Sequence, residues 1–231
     1  MNSQFENVAD QRQKVRRHEM AVALRWSGVL FLGFVAVTLD LVYNGFLSKL
    51  DVMIAELDRP KLTGAVKFFV LRVDDLGLRW ITATILLITA FSISKKFKSW
   101  RPLNLSFLSL LSLNIFVGAA KIFLGRCKAR ENFDPCMFTN GMAYPSGHVA
   151  NALVTWGLLV YILFRYTKRA STEKFRLYII VGFITFAVSA VSLLRNTHWL
   201  SDLIGGIFLG GSIFVLVVAI DRFIPSKRQP S

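Results

Sequence analysis

The last long apolar run of the chain reads WLSDLIGGIFLGGSIFVLVVAID, residues 199–221. About 20 predominantly apolar residues are enough for a helix to cross a lipid bilayer, so this run predicts a transmembrane helix. Five earlier runs approach the same length, and 54% of the 231 residues are hydrophobic. We therefore predict an all-α integral membrane protein with six transmembrane helices, at residues 26–43, 76–94, 103–124, 149–166, 177–194 and 199–221.

The rest of the chain divides around these six helices. Residues 1–25 form a basic tail, residues 26–223 form the membrane domain, and residues 224–231 form a second short tail. The first apolar run begins too late for a cleaved signal peptide and contains Asp40, so we expect it to be retained. The segment 47–79 is too polar to span. We interpret it either as one or two amphipathic helices on the outer surface, broken at Pro60, or as a plain surface loop.

The positions of the basic residues predict the orientation in the membrane. The chain has 28 Lys and Arg against 14 Asp and Glu, a net charge of +14. The two tails and two alternate loops hold 17 of the 28, and the loops on the other side hold 11. Because basic short loops stay in the cytoplasm, both termini are predicted to be cytoplasmic, with the protein in the cell inner or plasma membrane. The charge fits anionic lipid headgroups, and no nucleic-acid motif accompanies it, so we expect no nucleic-acid partner.

Only three histidines occur in the chain, His18, His148 and His198. His18 lies in the basic tail, whereas the other two lie at the outer ends of predicted helices, beside residue types that bind phosphate. The segments concerned are KIFLGRCK at 121–128, PSGH at 145–148 and RNTHWLSD at 195–202. Each residue alone could be an ordinary interfacial polar side chain. Their convergence on one extracytoplasmic face indicates a site for phosphate-ester chemistry.

The two outer histidines suggest a division of work. His198 and Asp202 are four residues apart, which places them on one face of a helix and lets the carboxylate reach the imidazole. Asp202 would then orient His198 and stabilise its imidazolium form, leaving Nε2 as a nucleophile toward phosphorus. His148 would act as general acid and then general base.

The remaining polar residues of the three segments are the expected phosphate ligands. They are Lys121, Lys128, Arg195, Ser146 and Gly147. Their charges, hydroxyl and backbone N–H groups at the start of the fourth helix would stabilise the nonbridging oxygens.

The only two cysteines, Cys127 and Cys136, lie in the outer loop that carries the first segment. Their position predicts a disulfide in an oxidising compartment, with two free thiols as the alternative.

Together the segments resemble the type-2 phosphatidic acid phosphatase family, whose pattern is Lys-x6-Arg-Pro, then Pro-Ser-Gly-His, then Ser-Arg-x5-His-x3-Asp. Residues 145–148 match the second motif fully, Lys121-x6-Lys128-Ala129 is similar to the first, and His198-x3-Asp202 matches the end of the third. The resemblance implies a six-helix membrane enzyme. Such an enzyme removes phosphate from a lipid phosphate or diphosphate through a phosphohistidine, without a metal or other cofactor.

Two departures from the family pattern affect the expected phosphate contacts. Lys128 stands in place of the first-motif arginine, with Ala129 in place of its proline, and a lysine offers a point charge rather than a planar fork. Ser192 stands in place of the third-motif arginine. Arg195, almost one helical turn later, is the expected substitute, and Arg126 is a second candidate.

The expected substrate is a membrane lipid phosphate, with undecaprenyl diphosphate as the first choice and phosphatidylglycerol phosphate and phosphatidic acid as alternatives. A protein of another class, a non-catalytic phospholipid-binding or transport protein, stays open because of the two departures. The oligomeric state is not indicated, because the pairs Gly205-Gly206 and Gly210-Gly211 allow close helix packing within the chain or between protomers.

Overall fold

The structure is a computed structural model that describes residues 2–130, 136–166 and 171–224. Within these ranges the chain forms eight helices and no strand. The helices are α1 (Asn2–Val42), α2 (Phe46–Ala55), α3 (Gly64–Asp75), α4 (Arg79–Lys96), α5 (Arg101–Leu124), α6 (Gly147–Tyr166), α7 (Ser171–Leu194) and α8 (Leu200–Phe223).

Five of these helices are long and apolar enough to cross a membrane, namely α1, α5, α6, α7 and α8. Helices α3 and α4 pass the same test of length and composition only when they are taken together, with a bend of 52° at the short break between them, so the number of spans is five or up to six. The prediction of an all-α, multi-pass membrane protein with up to six spans is therefore confirmed. The bend lies next to Gly77, just before α4 begins.

The predicted tails are only partly visible in the structure. Residues 1–25 were expected to be a polar tail, but α1 runs without a break from Asn2 to Val42, so that most of this segment continues the first span as one helix. The second tail, residues 224–231, lies almost wholly outside the described residues. The division into a membrane domain with two tails stays a prediction.

Helices α6 and α8 lie at the centre of the bundle. Helix α8 packs against α1, α5 and α6, and α6 also packs against α4 and α7. The approach of α6 to α8 depends on glycine, because a Cβ on Gly210 would lie 3.0 Å from the Cα of Ala150. A Cβ on Gly206 would lie 2.7 Å from the carbonyl oxygen of Ser146. These glycines therefore serve close packing within the chain.

The segment between the first two spans forms two helices, α2 and α3, with Pro60 in the connection between them. Helix α3 has no buried residue, as expected for an amphipathic surface helix. Helix α2 is different, because Ser48, Asp51 and Ala55 are buried. Both helices fit the predicted amphipathic segment, and the buried face of α2 in addition carries a carboxylate into the protein.

Asp40, at the end of α1, explains where α2 begins. Its carboxylate Oδ2 accepts hydrogen bonds from the backbone N–H groups of Leu47 (2.8 Å) and Ser48 (3.2 Å). These are N–H groups of the first turn of α2, which have no partner within the helix. An acidic side chain at a helix N-terminus also interacts favourably with the helix dipole. Asp40, whose carboxylate is energetically costly in an apolar run, thus caps α2.

Candidate active site

The segments 121–128, 145–148 and 195–202, which we call the three histidine-associated segments, meet at one end of the bundle because of the directions of three helices. Helix α5 ends there, just after Lys121, and α6 and α8 begin there. Gly125 ends α5 in a left-handed conformation (φ 36°) that other residues rarely adopt. Two backbone hydrogen bonds then join the segments: Ser146 N–H donates to the carbonyl of Asp202 (2.9 Å), and Ala143 N–H donates to that of Arg126 (2.9 Å).

A cavity of about 590 Å³ lies at this meeting point, and we call it the histidine cavity. Its polar lining residues are His148, His198, Lys121, Lys128 and Arg79, with Gly147 beside them. Its other walls are formed by Gly77, Leu78, Trp80, Ala83 and Met142. The lining of the cavity thus combines two imidazoles and three basic side chains with several apolar residues.

His198 is held by Asp202, as the sequence predicted. The distance from His198 Nδ1 to Asp202 Oδ2 is 3.1 Å, and the same oxygen accepts the backbone N–H of Trp199 at 3.0 Å. Since a carboxylate only accepts hydrogen bonds, Nδ1 carries the proton in this arrangement. Trp199 also donates from Nε1 to the carbonyl of Cys127 (2.9 Å), which anchors the start of α8 to the first segment.

His148 lies against the turn between α3 and α4. A Cβ on Gly77 would come within 3.0 Å of both the Cβ and the carbonyl oxygen of His148. The turn is fixed to α6 by two side chains: Asn151 Nδ2 donates to the carbonyl of Gly77 (2.9 Å), and Trp156 Nε1 donates to that of Leu76 (3.0 Å). The position of His148 therefore depends on α6 and on the turn between α3 and α4.

The expected phosphate ligands of the first two segments are placed differently from one another. Lys121, Lys128 and Gly147 line the histidine cavity, and the ammonium of Lys121 donates to the carbonyl of Met142. The expectation for the Ser146 backbone N–H is wrong, because Asp202 already accepts its hydrogen bond. The Ser146 hydroxyl is fully buried, and among the described residues it has no hydrogen-bond partner.

Arg126 does not line the histidine cavity, contrary to its expected role as a phosphate ligand. Its side chain is 0% exposed. Its Nη1 donates to Asp202 Oδ1 (2.6 Å) and Ser201 Oγ (2.6 Å), and its Nη2 donates to Asp51 Oδ2 (2.7 Å). A guanidinium buried in this way is already bound by carboxylates and cannot reach a substrate phosphate.

Arg195, the expected substitute for the family arginine missing at Ser192, also has a protein partner. Its Nη1 donates to the carboxylate of Asp74 in α3, and its side chain is half-buried. Within the described part of the chain Arg195 is not among the cavity-lining residues. The pair of Arg195 and Asp74 lies close enough to His148 to affect it electrostatically. We therefore assign Arg195 to this ion pair rather than to phosphate.

Sequence reasoning missed two residues of this region, Arg79 and Asp51. Arg79 begins α4 and lines the cavity, but in the sequence it looks like an ordinary charge flanking an apolar run. Asp51 comes from α2, where burial raises the pKa of its carboxyl above the ordinary value, although the charge of Arg126 and the hydrogen bonds from Arg126 and Ser201 act in the opposite direction. The only signal for Asp51 was its place on the apolar side of an amphipathic helix.

Cys127 and Cys136 form a disulfide, with their Cα atoms 5.6 Å apart. Cys127 lies between Arg126 and Lys128 in the sequence, so the disulfide constrains the backbone that carries both residues. Among the described residues, no group of three or more His, Cys, Asp or Glu side chains has an arrangement that could hold a metal ion.

A curated protein and a solved crystal structure, both from Bacillus subtilis, are similar to this chain. It is 31% identical to phosphatidylglycerophosphatase B of strain 168 over 102 residues, which make up 44% of this chain and 50% of that protein. The chain thus matches about half the length of this relative. The crystal structure of a transmembrane PAP2 type phosphatidylglycerolphosphate phosphatase superimposes with a TM-score of 0.75 and 22% identity, over 87% of this chain and 98% of that one. This second likeness shows a shared fold.

The family model of the PAP2 superfamily matches residues 102–224. The matched range covers more than half of the chain and contains all three histidine-associated segments. The resemblance stated from the motifs is therefore confirmed, and the chain belongs to the PAP2 superfamily.

Proposed function

We propose that this protein hydrolyses the phosphate ester of a membrane lipid, with His198 as nucleophile. One observation carries the proposal: His198, oriented by Asp202, lines the same cavity as His148 and the basic residues Lys121 and Lys128. A nucleophile, a second imidazole for proton transfer and cations for a phosphoryl group are the parts that phosphate transfer to histidine requires.

In the proposed reaction, His198 Nε2 attacks phosphorus and the bond from phosphorus to the lipid oxygen breaks. His148 donates its proton to that oxygen, so the lipid alcohol leaves and a phosphohistidine remains. His148 then removes a proton from water, the water oxygen attacks phosphorus, and the N–P bond breaks to release inorganic phosphate. Asp202 accepts the Nδ1–H of His198 throughout and stabilises the positive charge that the ring gains when Nε2 is phosphorylated.

Lys121, Lys128 and Arg79 are the proposed ligands of the nonbridging oxygens, because all three line the histidine cavity. Arg79 replaces Arg195 and Arg126 in this role. The backbone N–H of Gly147 at the start of α6 is proposed as a further donor, since the first N–H groups of a helix have no partner within the helix. These groups would stabilise the charge on phosphorus-bound oxygens in the transition state.

The proposed substrate is a lipid phosphate monoester such as phosphatidylglycerol phosphate. Support comes from the relative whose name states this activity, together with the apolar cavity walls at Trp80 and Met142, which suit the glycerol and acyl part of a lipid. Undecaprenyl diphosphate was the first expectation, but no feature of the cavity favours it over a monoester.

The proposed location of the reaction is the extracytoplasmic face of the cell membrane, with both termini in the cytoplasm. The distribution of basic residues supports this orientation. A disulfide beside the cavity also supports it, because disulfides persist in oxidising compartments.

Phosphate release by the purified full-length protein tests the proposal. The protein in detergent with EDTA is given phosphatidylglycerol phosphate, phosphatidic acid and undecaprenyl diphosphate in parallel. We expect release in EDTA, fastest with phosphatidylglycerol phosphate, and none with His198→Ala. His18→Ala is the matched control, since His18 lies on α1 outside the histidine cavity.

The other results of this experiment each have a meaning. Fastest release from undecaprenyl diphosphate would overturn the proposed substrate but not the reaction. Release from no lipid, by folded protein that still binds them, would favour the non-catalytic phospholipid-binding alternative.

A further inference from the structure

A chain of three buried charged groups lies behind His198. Asp202 holds the imidazole, Arg126 holds Asp202 at 2.6 Å, and Asp51 holds Arg126 at 2.7 Å. We call Asp51, Arg126 and Asp202 the buried charge chain. Ser201 also joins Asp51 to Arg126, because its N–H donates to Asp51 Oδ1 (2.9 Å) and Arg126 Nη1 donates to its Oγ (2.6 Å).

The burial of these groups is too complete for an ordinary surface ion pair. Arg126 and Asp202 are 0% exposed and Asp51 is 1% exposed. Charges buried away from water are costly unless they are paired and hydrogen-bonded. Asp51 has three donors, from Arg126, from Ser201 N–H and from the Ser201 hydroxyl, and such donors favour the ionised carboxylate.

The number of carboxylates in the buried charge chain affects His198. One guanidinium and two carboxylates leave one net negative charge when all are ionised. If Arg126 had Asp202 as its only partner, it would largely neutralise the carboxylate on which His198 depends. Asp51 compensates the charge of Arg126, so Asp202 keeps its attraction for a positively charged imidazole. This effect is strong because charges interact over longer distances in a poorly polarisable interior.

Other charged groups around His198 come from several elements. The basic groups are Arg79 of α4, Lys121 of α5, Lys128 of the following connection and Arg195 before α8. The remaining titratable groups are His148 of α6 and Asp74 of α3, the latter paired with Arg195. Most of these groups are cationic, so the negative charges that favour a cationic imidazole come mainly from the buried charge chain.

We propose that Asp51 and Arg126 are positioning residues for the reaction, because they fix the orientation of Asp202 and keep its negative charge effective at His198. Helix α2, which carries Asp51, thereby becomes part of the apparatus that sets the reactivity of the nucleophile. This inference rests on the proposed function, since it concerns the rate of phosphate transfer to His198.

The test compares Asp51→Asn with Asp40→Asn in the full-length protein. Both aspartates anchor α2, but Asp40 does so through the N–H groups of Leu47 and Ser48, whereas the carboxylates paired with Arg126 are those of Asp51 and Asp202. The measurement is the pH dependence of kcat and KM for phosphatidylglycerol phosphate. Substrate ionisation is common to all variants, so it cancels in the comparison.

For Asp51→Asn we expect kcat to fall about 10- to 100-fold with KM little changed, because Asp51 does not touch the substrate. The acidic limb of the profile, where the nucleophilic imidazole becomes protonated, should move to lower pH by about half a unit to one unit. Loss of a negative charge makes the protonated imidazole less favourable, which gives this direction. For Asp40→Asn we expect a lower thermal stability and an unchanged acidic limb.

Arg126→Lys is the second variant, since a lysine keeps the charge but cannot bridge two carboxylates as a guanidinium does. We expect Arg126→Lys to lower kcat with KM again little changed. This variant keeps the inference testable if Asp51→Asn does not fold. An unmoved acidic limb in Asp51→Asn, or the same shift in Asp40→Asn, would overturn the inference. If neither Asp51→Asn nor Arg126→Lys folded, the buried charge chain would serve folding alone, and the inference would be overturned as well. Lack of turnover in the wild-type protein would instead overturn the proposed function.

Discussion

Basic residues near the histidine cavity are of two kinds. Lys121, Lys128 and Arg79 line the cavity. Arg126 and Arg195 instead donate to carboxylates of the protein. The difference matters because a guanidinium can hold two phosphate oxygens at once, whereas an ammonium is a point charge. With lysine at position 128, Arg79 is the residue in the cavity that can supply this two-pronged contact.

Substitution of Arg79 tests its proposed role. We expect Arg79→Gln to lower kcat/KM for phosphatidylglycerol phosphate about 100-fold, because one charged donor to the transferring phosphoryl group is lost. Arg72→Gln is the matched control, since Arg72 is on the neighbouring helix α3, is exposed and pairs with Asp75 at 2.8 Å. Steady-state kinetics of both variants give the comparison. Equal losses in the two would mean that general surface charge matters rather than a contact in the cavity.

The sequence predicted those residue contacts that depend on local spacing. His198 and Asp202 are four residues apart on one helical turn, and their contact follows from helix geometry. Arg126 was assigned to the wrong partner, because its carboxylates come from residues 51 and 202, far away along the chain. Contacts of this kind depend on how helices pack, and a single sequence carries little information about that packing.

The element on which the site depends most is α8. Its first turn carries Asp202, and the glycines that follow let the Pro-Ser-Gly-His segment and α6 approach closely. A Cβ on Gly205 would lie 2.6 Å from the ring of Tyr144, which immediately precedes that segment. The glycine-rich face of α8 is therefore a surface on which His148 and its neighbours are positioned.

Two glycines of α8 provide a matched pair of substitutions. In Gly206→Ala the new Cβ would lie 2.7 Å from a backbone oxygen of Ser146, so we expect a loss of about 1–3 kcal/mol in stability together with reduced turnover. In Gly211→Ala the nearest atoms are flexible Leu30 carbons at 3.4 Å or more, so we expect stability to be unchanged or slightly higher.

Thermal unfolding in detergent and phosphate release measure both effects of the glycine substitutions. A neutral Gly206→Ala would contradict the close contact between α8 and the Pro-Ser-Gly-His segment.

At the scale of elements, the sequence predicted the apolar helices well because their lengths are set by the bilayer. It was less informative about α2. One short amphipathic helix in a polar segment looks like a surface helix, and its hydrophobic pattern does not reveal that Asp51 is bound by a distant arginine. The continuous α1 was also not predicted, because its polar beginning lacks the apolar pattern of a span.

The whole molecule has two chemically different ends. At one end the histidine cavity lies beside α2, α3 and the disulfide. At the other end Asp221 binds Arg101 (3.0 Å) and the hydroxyl of Tyr161 (2.7 Å), which ties α5, α6 and α8 together. The basic loop at 95–101 lies at this second end, with the beginning of α5. The predicted orientation follows from this asymmetry of charge.

Labelling with a membrane-impermeant thiol reagent tests the orientation. In a protein with Cys127 and Cys136 replaced by serine, we expect Asn140→Cys to be labelled in intact cells, because it lies in the exposed connection next to the cavity. Lys96→Cys, at the other end of the bundle, should be labelled only after permeabilisation. The reverse pattern would mean that the end of the bundle with the histidine cavity faces the cytoplasm.

Trapping of the phosphorylated protein tests the proposed reaction most directly. The protein is mixed with phosphatidylglycerol phosphate labelled in its terminal phosphate, in the presence of EDTA, and quenched within the first turnover. We predict a label on His198 that is stable in alkali and lost in acid, as expected for an N–P bond, and no label in His198→Ala. An acid-stable label on another residue, or turnover in His198→Ala, would contradict a phosphohistidine at His198.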